Sequence, residues 1–307
     1  MFFGQPLPPP GPAWWQPELA QVQRFFRHPA RALLRQRLGL QLRQAEDMLD
    51  DDEPFLPDLR SRAALARRLL PALIAGADDQ RLLALADAGI ELPTGTLGHL
   101  SLQAELPLLR SHAGRLALLT QQPLLSPHVA TLALPVAGET WQLQVALPGL
   151  RADGLLLHRY DEARAADHIA AWIAHLALCA CAPAGVAGRT RWLGRDGGFG
   201  FRPCDDAPAQ LQTLLELYAQ GLSEPLYFFP KTAWAWATGQ RSLSRARAAW
   251  TPSQRTPWAE QADAAHRLVL RGLPDPMGAG LARFERVSSA VLEPLLDHLE
   301  AWDEGSN

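Results

Sequence analysis

Two groups of side chains in this chain have the types and spacing for chemistry. The first mixes arginines with aromatic rings: Arg189, Arg191, Trp192, Arg195 and Phe199 in one short stretch, then Trp234, Trp236, Arg241, Arg245, Arg247 and Trp250 further on. Guanidinium forks donate paired hydrogen bonds to phosphate, and a ring stacked on an unpaired base contributes about 1–3 kcal/mol, so such mixtures suit contact with a nucleic-acid strand. Ordinary packing with a solvated basic rim is the competing reading of both mixtures.

The second group is titratable. Cys179, Cys181 and Cys204 are an odd number, which argues against a disulfide framework and for a reducing, cytoplasmic setting. Cys179 and Cys181 stand too close for a zinc knuckle and no second pair matches them, so the cysteines read as structural and neither a metal nor another cofactor is expected. The acidic run Asp50-Asp51-Asp52-Glu53 reads as a solvated loop, because adjacent carboxylates repel and point apart. His168 and Trp172 are four apart and share a helix face with His175 nearby; all three read as core or half-buried residues. Asp153 and Asp161 sit beside turns and lack a partner at defined spacing, so neither reads as a metal ligand.

The elements that would position these groups follow from composition and periodicity. With 307 residues, 48% hydrophobic and 20% charged, the chain has enough apolar surface to fold into one large or two modest domains. A formal net charge of −3 removes the argument for a general nucleic-acid binder, so any DNA contact is expected to be a local patch. Lys231 is the sole lysine, but GC-rich coding produces the same arginine bias. The most apolar stretch, Ile169 to Val186, is broken by His175, Pro183 and Gly185 and reads as a buried helix rather than a membrane span. Met1-Phe2-Phe3-Gly4 lacks the basic leader and long apolar core of a signal peptide.

Residues 1–17 are proline-rich and read as an extended linker. Residues 18–120 read as a helical layer, with helices over Glu18 to Gln41 broken at Pro29, Arg60 to Ala75, Asp78 to Ala88 and Gly98 to Thr120. Residues 121–307 read as an α/β core forming one compact domain with that layer. Its expected parts are a hairpin of Val129 to Leu134 with Thr140 to Leu147, a strand Gly154 to His158, a helix Glu162 to Cys181, a second hairpin of Thr190 to Gly194 with Phe199 to Arg202, a helix Ala209 to Gln220 and a strand Leu226 to Phe229.

The run from Leu19 to Leu38, with Phe25-Phe26-Arg27-His28-Pro29 followed by an arginine-bearing helix, resembles the start of the RecC carboxy-terminal domain family, from the gamma subunit of exodeoxyribonuclease V. Glu53-Pro54-Phe55, the run Leu92 to Gly98, Trp192-Leu193-Gly194-Arg195-Asp196-Gly197 and Gly221 to Leu226 support the resemblance in the expected order, and it weakens between about Thr238 and Pro274. It implies a PD-(D/E)XK restriction-endonuclease-like core behind the helical layer. In that class two carboxylates hold Mg²⁺ and a lysine assists. By the resemblance, Pro148 stands at the first acid, Leu157 at the second and Arg159 at the lysine, while His168 and Trp172 stand where the family has a Gln-x-x-x-Tyr pattern. With both acids absent, Arg159 is expected to be a fixed positive charge that repels a metal ion.

The resemblance therefore implies a nuclease fold without its metal or its activity. It also implies a subunit that lies against a double-stranded DNA end or fork, helps part the strands with a pin, assembles with RecB and supplies the surface on which the RecD helicase docks. The arginine and aromatic mixtures are the candidate DNA contacts. A docking module that never touches DNA fits the near-neutral charge, and an active nuclease is disfavoured by Pro148 and Leu157.

Overall fold

The computed structural model describes residues 2–42, 59–254 and 256–301. The acidic run Asp50 to Glu53 and the Glu53-Pro54-Phe55 triplet lie outside them. Helices α1 (Leu19–Arg27) and α2 (Pro29–Leu38) are separated at His28, whose Nδ1 accepts the Arg31 backbone N–H while Pro29 occupies the first helical position. Helix α1 buries Leu19, Val22, Phe25 and Phe26. Helices α3 (Leu59–Ile74), α4 (Asp79–Asp87) and α5 (Thr96–Leu119) pack a smaller core of their own around Leu65, Leu69, Leu82, Leu102 and Leu109. Tyr160 closes that core, and its hydroxyl donates to Glu105 at 2.5 Å.

The first hairpin pairs β1 (His128–Val136) with β2 (Glu139–Leu147), His128 opposite Leu147. Ala137 and Gly138 both have positive φ at its turn, the backbone twist that a two-residue hairpin loop favours. The five-stranded sheet has the order β3 (Leu150–Arg151), β4 (Gly154–His158), β5 (Thr190–Leu193), β6 (Gly198–Phe201), β7 (Leu299–Ala301). Only β4 and β5 run parallel, and α6 (Ala165–Cys181) crosses between them. Gly154 has φ +130, and a side chain there would strike the Arg189 carbonyl. Helix α6 buries Ile169 and every residue from Ala171 to Leu178, so it is the central helix of the main core. Helices α7 (Ala207–Gly221), α8 (Pro230–Thr238), α9 (Leu243–Trp250), α10 (Ala264–Val269) and α11 (Leu281–His298) complete the body.

Three expectations change. Leu226 to Phe229 is buried but joins no ladder; it runs extended into α8, with the Tyr227 hydroxyl donating to the Pro274 carbonyl at 2.9 Å. Its four apolar residues satisfied the pattern of a strand, and a short buried segment has the same pattern. The last strand is instead β7, three residues paired with Phe199 to Phe201. The proline-rich segment is extended apart from a 3-10 turn at Pro12–Trp14, and it is anchored. Phe3 is buried, the Leu7 N–H donates to the Ser223 carbonyl at 2.7 Å, and the Trp15 and Pro17 carbonyls accept from Gln142 and Gln144 of β2. Among the described residues no helix is long and apolar enough to cross a membrane.

Candidate functional site

Strand β2 ends at Leu147 and the chain turns at the exposed Pro148 before entering β3 and β4. Pro148 and Leu157 line one cleft of about 370 Å³ together with Leu19, Leu147, Leu155 and Ala174. Its polar lining is Glu18, Gln23 and Gln144. Both amides are engaged: Gln23 Nε2 donates to the Ala170 carbonyl at 2.8 Å, and Gln144 Oε1 accepts from the Thr131 hydroxyl at 2.9 Å. Among the described residues Glu18 is the one carboxylate in the lining, whereas Mg²⁺ takes near-octahedral oxygen coordination, usually with more than one acidic or phosphate ligand.

Arg159 does not line this cleft. Its guanidinium pairs with Asp167 at 2.7 Å and lies 3.5 Å from Asp161, and Asp167 also accepts the Arg164 backbone N–H at 2.9 Å at the start of α6. The expectation that Arg159 is a bare positive charge repelling a cation is therefore corrected, because neighbouring carboxylates neutralise it. Asp153 is likewise paired, with Arg191 at 2.8 Å, and Asp161 with Arg164 at 2.9 Å. His175 is fully buried between the Thr190 hydroxyl at 3.0 Å and the Arg202 carbonyl at 2.8 Å. A carbonyl only accepts, so Nε2 carries the proton and Nδ1 accepts from Thr190. Burial pushes His175 and His168 down to about 4. The His168 ring packs 3.9 Å from Phe199 and 4.3 Å from Trp234. These histidines are neutral parts of the core.

The second hairpin is not an aromatic platform. Trp192 and Phe199 are cross-strand partners on the inner face, each 6% exposed, stacked at 5.1 Å with planes 13° apart. Neither ring has a face to offer a base. The arginines around them are paired: Arg189 with Glu300 at 3.7 Å, Arg191 with Asp153, and Arg195 with Glu162 at 2.9 Å. The turn is held from α5, where His112 Nδ1–H donates to the Gly194 carbonyl at 2.9 Å and Arg115 reaches the Arg195 carbonyl. In the later cluster Trp236 and Trp250 are buried, and Trp234 packs on His168. Arg241 lies over Trp236 at 5.8 Å and pairs with Glu293; Arg247 donates to the Met277 carbonyl at 3.3 Å. Arg245 is exposed and its guanidinium has no partner among the described residues. Exposed Arg27 and Arg35 on α1 and α2 are equally unpaired among those residues.

One surface stands out that no motif signalled. Helix α5 buries Leu102, Leu106, Leu109 and Leu116 on one side and leaves Leu97, Leu100, Leu108 and Leu118 exposed on the other. At about 100° per residue these four fall within one face, and Leu100 is 56% exposed. Ile90, just before the helix, is 98% exposed. The helical spacing of leucines on two opposite faces was the available signal.

Fold and surface together define a mixed α/β domain with an apolar cleft at the ends of β2 and β4 and a bare apolar face on α5. Comparison with known proteins matches residues 14–241 to the RecC C-terminal domain family. The chain is also 32% identical over 240 residues to the RecBCD enzyme subunit RecC of Escherichia coli (strain K12), an alignment that covers 76% of this chain and 20% of that protein. This chain belongs to the RecC C-terminal domain family, and it spans about a fifth of the length of that relative.

Proposed function

We propose that this chain is a non-catalytic assembly domain, built on a PD-(D/E)XK-like core, of the gamma subunit of a cytoplasmic helicase–nuclease that processes double-stranded DNA ends in recombinational repair. The observation that carries the reading is the bare leucine face of α5, opposite the face that packs α3. Isolated exposed leucines are ordinary, but an aligned row on one helix is the form of a docking surface. The occupant is the RecD helicase subunit, with RecB completing the complex. The cleft that would hold Mg²⁺ in a nuclease carries Pro148 and Leu157 and takes no part in cleavage.

The test is co-elution of the chain with intact RecD. The Leu100→Asp, Leu108→Asp double variant should elute alone while keeping its thermal midpoint, since substitutions at exposed sites change stability by about 0.5 kcal/mol or less. Co-elution that survives this variant would contradict docking through α5.

A second reading, direct handling of the fork, rests on Arg27, Arg35 and Arg245, which are exposed and free of acidic partners among the described residues. Contact of this kind is to phosphates. It does not use the second hairpin, whose rings are packed inward.

A further inference from the structure

Cys204 and Asp206 lie in the turn between β6 and α7, and His298 is the last residue of α11. One ligand atom from each lies within 4.8 Å of the other two. Cys204 Sγ donates to Asp206 Oδ1 at 3.1 Å, close to the separation of about 3.5 Å between two ligands on a tetrahedral zinc ion with bonds near 2.0–2.3 Å. The hydrogen bonds that would orient these ligands are already made. Gln210 Nε2 donates to Asp206 Oδ2 at 2.7 Å, which leaves Oδ1 toward the thiol. His298 Nδ1–H donates to the Pro294 carbonyl at 2.8 Å, which fixes the tautomer and leaves the lone pair on Nε2. That nitrogen has no hydrogen-bond partner among the described residues.

The local charge also suits a cation. Arg202, the nearest arginine in sequence, is bound to the Asp297 carbonyl and lies 3.9 Å from Glu300. Asp205 and Asp297 flank the cluster in sequence and are exposed. By contrast, in the comparable group of His28, Asp263 and His266 the His28 imidazole and the Asp263 carboxylate are already committed to each other and to Arg31, and His266 Nε2 alone is left without a hydrogen-bond partner among the described residues. His28 Nδ1 accepts from the Arg31 N–H, so its Nε2 carries the proton directed at Asp263, and Arg31 lies 2.5 Å from the same carboxylate.

We propose that Cys204, Asp206 and His298 form a site for a zinc-class divalent cation that clamps the start of α7 to the end of α11. Thiolate, imidazole and carboxylate together select a borderline-soft ion over Mg²⁺ or Ca²⁺. The metal takes the place of the thiol proton between Sγ and Oδ1, and that proton leaves to solvent. The fourth position, beside the exposed Asp206, takes water. None of the three residues lines the apolar cleft, so the site is separate from any nuclease chemistry.

The experiment is titration of the metal-free chain with Co²⁺ alone and then Zn²⁺. One equivalent of Co²⁺ should give a thiolate-to-metal charge-transfer band and the visible bands of a tetrahedral ion, and Zn²⁺ should bleach both and release one proton per metal from apo protein. Cys204→Ser should abolish the charge-transfer band. His298→Gln should weaken binding at least about 10-fold, and Gln210→Ala about 10-fold, the ordinary effect of removing a group that orients a metal ligand. Cys181→Ser should change nothing. His298 is only half-buried, so its variant decides the question if loss of the buried Cys204 thiol prevents folding. Absence of a charge-transfer band in the unaltered chain, or binding that survives His298→Gln undiminished, would overturn the site.

Discussion

Replacing Trp192 by Ala separates the two roles that the second hairpin could have. In the structure the indole is in the core, stacked on Phe199, which in turn meets His168 of α6 and Phe201 of β6. Truncating a buried tryptophan removes its transfer energy and leaves a cavity, together about 3–5 kcal/mol, with the aromatic pair contributing about 0.5–1.5 kcal/mol beyond area alone. That is a large part of the roughly 5–15 kcal/mol typical of a folded domain. Urea unfolding followed by circular dichroism should therefore show a much lower midpoint with little change of slope. Binding to single-stranded and forked DNA, measured where the variant is still folded, should be unchanged. The opposite pattern would refute inward packing of the ring: an unaltered midpoint with affinity reduced about fivefold or more, as loss of a stacked base at about 1–3 kcal/mol would give.

Two further outcomes follow from charge and burial. Charge reversal at Arg27 and Arg35 should weaken DNA binding and flatten its salt dependence, by about 0.9 in the log–log slope for each duplex phosphate that is no longer neutralised, measured by fluorescence anisotropy across a salt series; an unchanged slope would exclude these arginines. Stability should fall as the pH drops below about 6.5 toward 4, because burial holds His112, His168, His175 and His266 down to about 4 while the unfolded chain protonates them near 6.5, each adding up to about 1.4 kcal/mol per pH unit. The His28 and Arg31 contacts hold the Asp263 carboxylate far below its usual range despite the opposing effect of burial, and its contribution is lost in acid too. Glu260, pushed up by burial, runs the other way, one group against several. Urea midpoints that stay level or rise between about pH 7 and 5 would contradict the neutral, buried histidines.

The parts of the fold visible in the sequence are those with local periodicity. The two hairpins follow from alternation around Ala137-Gly138 and around Asp196-Gly197, and α6 follows from its continuous apolar run. Strand β7 was not legible, because three residues carry no period and its partner is β6, far back in the chain. The same distance hid the site of Cys204 and Asp206, whose third member is His298. Composition placed arginines beside Trp192 and Phe199 but says nothing of which strand face is inward; the register sets both rings on the face that α6 covers. Helix α5 is the reverse case. Its second leucine face could be read from helical spacing, yet only the position of α3 tells which face remains bare.

Whether the domain cuts DNA is decided by incubating the unaltered chain with linear duplex and single-stranded DNA in Mg²⁺ and in Mn²⁺. No cleavage is expected in either metal, because Pro148 and Leu157 bring no carboxylate to the cleft and Asp153 and Asp161 are held in ion pairs elsewhere. Cleavage that is lost when Glu18, the one carboxylate among the described residues that line that cleft, is changed to Gln would overturn the non-catalytic reading.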